Sequence, residues 1–456
     1  MKGKNLVILA LIVVAVGAYI MLVERHRPTS DEAKTEADKV LQGFDRDEVT
    51  GIVIEGGSGR VRLEKVGEAW RLREPLDFPA DESVVTSTLG TLANLEADRR
   101  LAADEVDPAA YGLDDPPIEV RLRTGDGTET VVEVGNEMPL GSKRALRLAG
   151  IDEIVVAPGW FVSDIEREVD DWRSREVVDI TEDRVASIDI GAGEDRIRAV
   201  RLHDRWQLLD PVKDLGDRDH LRSLVSDLGS LRIEEFLDDP VDPADLGLEA
   251  PEYEITLIRT DGVEPLRLDL GSTREGESGT EVACRRGDGE FFWASEKVRT
   301  RLSKAPVLWR SKKVMPFETW DVEGLGLSRG GDSVELEQVD GLWQFVEDSA
   351  EADYTAVQDR LRKLADLEAT DYDLMAPMTA EVGRVDVALK AADDEAESRV
   401  VSFEFFEPLA QGGRAMVRVD GRDSVMGVEV ADVDTILGDF ESLRPIPPEQ
   451  DVADGE

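Results

Sequence analysis

Hydrophobic positions in this chain recur in register. Val85, Leu89, Leu92 and Leu95 run i, i+4, i+7, i+10, which puts four side chains on one helix face. The same spacing returns 136 residues later at Leu221, Val225, Leu228 and Leu231, and again at Val357, Leu361, Leu364 and Leu367. A tryptophan precedes each predicted helix: Trp70, Trp206 and Trp343. A repeat of this length is a whole domain built three times, not a solenoid unit.

Further along each copy the period changes from helical to two. Ile118, Val120 and Leu122 alternate with polar neighbours, as do Tyr253, Ile255 and Leu257, and Val385, Val387 and Leu389. Alternation of this kind predicts half-buried strands. Asp126-Gly127 and Asp261-Gly262 then mark tight turns, and second strands follow around 131–134, 266–270 and 400–405. Gly56-Gly57-Ser58-Gly59 lies between two strand-like runs and reads as a hairpin connection, not a phosphate cradle.

Two shorter signatures complete the pattern. Asp107-Pro108-Ala109-Ala110-Tyr111-Gly112-Leu113 matches Asp242-Pro243-Ala244-Asp245-Leu246-Gly247-Leu248. Asp caps a helical turn, Pro fits its first position and Gly its end, so a structural turn is the reading, with a ligand loop as the alternative. Trp172-Arg173-Ser174-Arg175 matches Trp309-Arg310-Ser311-Lys312, and the third copy keeps only Leu443-Arg444-Pro445. The arginine is expected to pair with a carboxylate or stack on a ring, the alternative being a binding hot spot.

The expected fold is α+β: three tandem strand-rich modules, each with helices on an antiparallel sheet and a closing helix, after one N-terminal transmembrane helix. Leu6 to Val23 is the apolar run, about 27 Å as a helix and enough for one span. A retained anchor and a cleaved signal peptide share this layout, and the run's length favours the anchor. Lys and Arg flank it almost evenly, so charge alone does not orient it. The boundaries are an anchor over 1–23, a polar linker over 24–45, modules over 46–181, 182–318 and a divergent 319–447, and an acidic tail over 448–456.

Together these residues resemble the bacterial family called domain of unknown function 4340, most clearly over 107–135 and 160–180. The third copy departs from it in lacking the Tyr-Gly-Leu element and the second tryptophan. The resemblance implies a protein of the cell (inner) membrane with its bulk outside the cytoplasm, often encoded beside gliding-motility-type ABC transporter components. It carries over no active site.

Charge excludes one class of partner. The chain has 100 acidic and 54 basic residues, a net −46, and 41 of the basic residues are arginine. Nucleic acid needs a basic face, which this composition does not supply. The only histidines are His26, His203 and His220, all read as surface residues. Cys284 stands alone and reads as a small buried residue. No metal-ligand spacing, nucleotide loop or nucleophile motif appears. No catalytic, cofactor-binding or metal residue is therefore assigned, and no cofactor or enzymatic activity is expected. The expected function is a membrane-anchored extracytoplasmic binding or scaffold protein in an ABC-transporter-like envelope assembly. The alternatives are an envelope protein binding glycans or peptides, and a hydrolase using carboxylates.

Overall fold

The computed structural model describes residues 37–102, 106–139, 141–203, 205–303, 305–373, 380–390, 399–407 and 414–445. They fall in two compact units, Met1–Arg175 and Glu176–Glu456. The first unit holds one sheet and the second holds two.

The first sheet is made of β1 (Val49–Gly56), β2 (Gly59–Val66), β3 (Ala69–Glu74), β4 (Phe78–Pro79), β5 (Arg99–Ala102), β6 (Ile118–Thr124), β7 (Glu129–Glu137), β8 (Lys143–Leu148) and β9 (Glu153–Pro158). Its spatial order is β4-β3-β2-β1-β6-β7-β8-β9-β5. The chain thus winds outward to one edge, crosses to the other, and returns beside its own first strand. The crossing is α1 (Glu82–Ala93), and a short α2 (Val162–Ile165) lies near the end. An element that spans a sheet from edge to edge must be apolar on one side only, which is what the spacing of Val85, Leu89 and Leu92 provides.

The second sheet repeats this order with β10 (Val185–Ala192), β11 (Asp195–Leu202), β12 (Arg205–Asp210), β13 (Asp214–Leu215), β14 (Ile233–Leu237), β15 (Tyr253–Arg259), β16 (Leu266–Gly276), β17 (Gly279–Arg286) and β18 (Glu290–Ser295). They stand as β13-β12-β11-β10-β15-β16-β17-β18-β14, with α3 (Arg218–Gly229) crossing and α4 (Lys297–Leu302) following the last hairpin. The third sheet has seven strands: β19 (Val322–Arg329), β20 (Asp332–Val339), β21 (Leu342–Phe345), β22 (Glu381–Leu389), β23 (Arg399–Phe406), β24 (Arg414–Val419) and β25 (Met426–Glu429). Their order, β21-β20-β19-β22-β23-β24-β25, is the same without the two edge strands. Isolated bridges, Gln344 with Glu351 and Asp371 with Gly427, stand in for those edges. Its helices are α5 (Tyr354–Ala365) and α6 (Val430–Ile436).

All twelve in-register apolar positions are buried. Leu95, Leu231 and Leu367 lie just past their helices, where their carbonyls accept the amides of Val40 (2.7 Å), Val177 (3.4 Å) and Val314 (2.9 Å). Val40 and Leu41, in the stretch read as linker, belong to the core of the first sheet. Trp70, Trp206 and Trp343 each sit second in the third strand of their sheet and are buried. Their carbonyls accept the amides of Ala80 (3.0 Å), Gly216 (2.9 Å) and Ala352 (2.8 Å). The next residue is an aspartate every time. Asp81, Asp217 and Asp353 cap α1, α3 and α5 through their side chains. Their own amides reach the carbonyls of Trp172 (2.9 Å), Trp309 (2.7 Å) and Leu443 (2.7 Å). One hydrogen-bond frame is therefore built three times, and the third copy keeps it with leucine in place of tryptophan.

Two expectations are corrected. Among the described residues no helix is long and apolar enough to cross a membrane, and Leu6 to Val23 lies outside those residues. The transmembrane element of the fold, the single membrane anchor, and the placement at the inner membrane with the bulk outside the cytoplasm are not supported. The closing helix is present in each module as α2, α4 and α6, and the short turn that carries Trp172, Trp309 or Leu443 follows it. His220 is not a surface residue: it lies in α3, buried, with its ring edge-on to Trp309 at 4.4 Å.

Candidate functional site

Strand alternation leaves the second face of each sheet polar. On the first sheet, Glu55, Arg62, Glu64, Glu119, Arg121 and Arg147 share that face. They pair in the plane of the sheet: Arg60 with Glu55 (2.8 Å), Arg123 with Glu64 (3.2 Å), Arg147 with Glu133 (2.5 Å). On the second sheet Asp189 holds Arg196 and Arg198, and Asp269 holds Arg285. On the third, Arg384 joins Asp386 and Glu404, and Arg418 also pairs with Glu404. The guanidinium groups of Arg73 and Arg123 help hold the Glu64 carboxyl below its ordinary range against the opposing pull of burial. Such exposed pairs stabilise by only about 0–1 kcal/mol each. Their chief consequence is that these arginines are already matched, so an incoming anion meets no spare cation on them.

Among the described residues of the second unit, the most deeply buried ion pair lies at Asp214. Asp214, in β13, is fully enclosed. Its Oδ2 accepts Arg310 Nε at 2.5 Å and its Oδ1 accepts Arg422 Nε at 2.5 Å. Ser424 Oγ donates to Oδ2 at 3.3 Å. Arg310 also binds the half-exposed Asp373 and lies 4.3 Å above the Tyr372 ring. Burial pulls the Arg310 pKa down, but the hydrogen bond to Asp373 and the charge of Asp214 outweigh it and leave it raised. Asp373 is lowered, first by its hydrogen bond from Arg310. Both carboxylate oxygens of Asp214 face a guanidinium, which is the arrangement of a structural ion pair.

A shallow hollow of about 580 Å³ borders the tip of the β16–β17 hairpin, lined by Thr280, Ser295, Lys297, Thr300 and Arg301 among others. Asp227 holds both of its cations, Lys297 at 2.9 Å and Arg301. Among the described residues no group of three or more His, Cys, Asp or Glu side chains is placed to hold a metal ion. His203 is exposed, His220 packs on Trp309, and His26 lies outside the described residues. Cys284 sits inside β17, and burial raises its thiol pKa. Because the thiolate is the nucleophile, thiol reagents are expected to leave Cys284 unmodified in the native protein and to label it only after denaturation. Labelling at a native rate near that of free cysteine would contradict its placement.

The repeated arginine takes both of the forms expected for it. Arg173 pairs with Asp170 at 3.0 Å and lies over Phe78 at 4.5 Å, while Arg310 pairs with two aspartates and lies over Tyr372. The Asp-Pro turns are structural: Asp107 and Asp242 each accept the amide two residues on, and Gly112 and Gly247 take the left-handed conformation that ends the turn. Sequence reasoning did not find Asp214, Arg422 or Ser424. Asp214 has no acidic counterpart in the first copy, where Phe78 stands at its place, so the repeat held no signal for it.

Two overlapping stretches, residues 70–251 and 216–383, match the model of a family described as a domain of unknown function. No curated protein matches the chain. Among solved structures, a DnaN sliding clamp (DNA polymerase III subunit beta) from Pseudomonas aeruginosa bound to griselimycin is similar over 87% of this chain and 94% of that one, at 10% identity. Its TM-score of 0.15 is too low to carry an argument. The role expected beside ABC transporter components is corrected, since the family description does not support it. Among the described residues no ligand-binding or catalytic feature supports the two alternatives either. The matched stretches together run from 70 to 383, well over half of the chain, and the chain belongs to that family, DUF4340.

Proposed function

We propose that this chain acts without catalysis, by presenting the open polar faces of its sheets to a polypeptide partner with a basic surface. The observation that carries this reading is the division of labour among charges. Buried ones hold the fold, whereas arginine–carboxylate ladders cover the partly exposed polar faces of the sheets. Arginines on those faces are already paired, and the chain carries a net −46, so its field attracts positive charge and speeds such an encounter. We also propose that each module begins slightly before the boundary set by the hydrophobic repeat. The bridges formed by Lys39, Glu176 and Lys313 with the ends of the crossing helices support this.

A photo-crosslinking residue at Thr256, on the open face of the second sheet, tests the proposal against one at Asp219 on the exposed side of α3. The Thr256 position is expected to capture one recurrent protein, and capture is expected to fall as salt rises from about 0.05 M to about 0.5 M. Capture that is equal from Asp219, or indifferent to salt, would overturn it.

A further inference from the structure

We infer that the second and third sheets open and close as one cooperative unit, joined by a reciprocal exchange of charge centred on Asp214. Each side contributes one acid and one arginine. Asp214 and Arg310 come from the second module, Asp373 and Arg422 from the third. The pairs then cross over: Arg422 of the third module binds Asp214 of the second, and Arg310 of the second binds Asp373 of the third. Ser424 donates to Asp214 from the third side and also meets Arg310. Separating the sheets would leave Arg422, which is fully enclosed, without its carboxylate. A buried charge that loses its partner is strongly unfavourable, so opening one sheet alone is opposed.

The joint has a backbone and an apolar component as well. Arg422 donates to the carbonyls of Lys313 (2.7 Å), Val314 (3.0 Å) and Ser311 (3.3 Å), the stretch that leads from the second sheet into the third. Tyr372 Oη donates to the Ser311 carbonyl at 3.0 Å, and Leu215, next to Asp214, packs against the core of the third sheet. The charges mark the joint and not the module. At the far end of the third module the counterpart of Arg310 is Arg444, which turns back on its own module, onto Asp348 at 3.1 Å and the Phe345 ring at 4.1 Å.

Hydrogen exchange across a denaturant series, on the full chain, tests this. In the parent protein the amides of 221–228 and 357–364 are expected to lose protection at the same denaturant concentration. In Asp214→Asn, protection of 357–364 is expected to fall by about tenfold relative to 221–228. Should that variant fail to fold, Asp373→Asn, at a half-exposed position, is expected to give a smaller split in the same direction. Separate transitions in the parent, or variants in which the two segments still move together, would overturn the inference.

Discussion

Replacing Trp206 or Trp343 by alanine is expected to destabilise the protein by about 3–5 kcal/mol. Both side chains are among the largest fully buried ones in the molecule. Each stands on the third strand of its sheet, and its carbonyl anchors the turn into the aspartate cap of α3 or α5. Truncation removes the transfer energy of an indole and leaves a cavity that the strand, held by its ladder to β11 or β20, does not close. Trp160 and Trp320 make the control, being 58% and 70% exposed. Their alanine variants are expected to stay within about 0.5 kcal/mol of the parent. Urea denaturation read by far-ultraviolet circular dichroism gives the ranking. A Trp320 variant as damaging as the Trp343 variant would mean that the repeated tryptophan is not what fills the third interior.

Gly271→Ala has the next largest expected effect. A Cβ there would lie 2.2 Å from the Leu246 carbonyl oxygen and 3.0 Å from the Leu248 side chain. That carbonyl is not able to retreat, because it accepts the Ser272 amide at 2.8 Å and belongs to the Asp-Pro turn. Gly135 in the first sheet meets the Tyr111 carbonyl at the same 2.2 Å, so the close approach is a property of the module. Relief requires the turn to lift off the sheet, at about 1–3 kcal/mol, with loss of the small cluster of Leu246, Leu248, Ala283 and Trp293. Gly289→Ala, where a Cβ meets nothing within 4 Å, is the matched control and is expected to be neutral. Equal thermal midpoints for the two variants would contradict the close packing of the turn.

Elements with many in-register positions were legible in the sequence. The crossing helices announce themselves because one face must be apolar over several turns, and the paired strands because alternation persists over several residues. The edge strands β4 and β13 were not legible, since two residues cannot show a period. The burial of His220 was not legible either: an unrepeated polar residue reads as exposed, yet its ring lies edge-on to Trp309 in the interior.

The charged joint was invisible for a different reason. Asp214 meets Arg310 and Arg422 across 96 and 208 residues of chain, and it is one acid among 100. Nothing local distinguishes it from the carboxylates of the open faces. Only burial does so, and burial is a property of the assembled sheets. The family resemblance behaved differently in its parts. The residues that carried it are where the family match lies, whereas the membrane anchor and the transporter association attached to it rested on no described residue.

Triplication of one module is tested most directly by amide exchange at Asp81, Asp217 and Asp353 in the native protein. A helix cap ordinarily leaves its own amide to solvent, but here each donates to the closing turn, at Trp172, Trp309 and Leu443. All three amides are expected to be protected well beyond the level of an open turn. Protection at one or two of them with solvent-like exchange at the rest would contradict a single frame built three times.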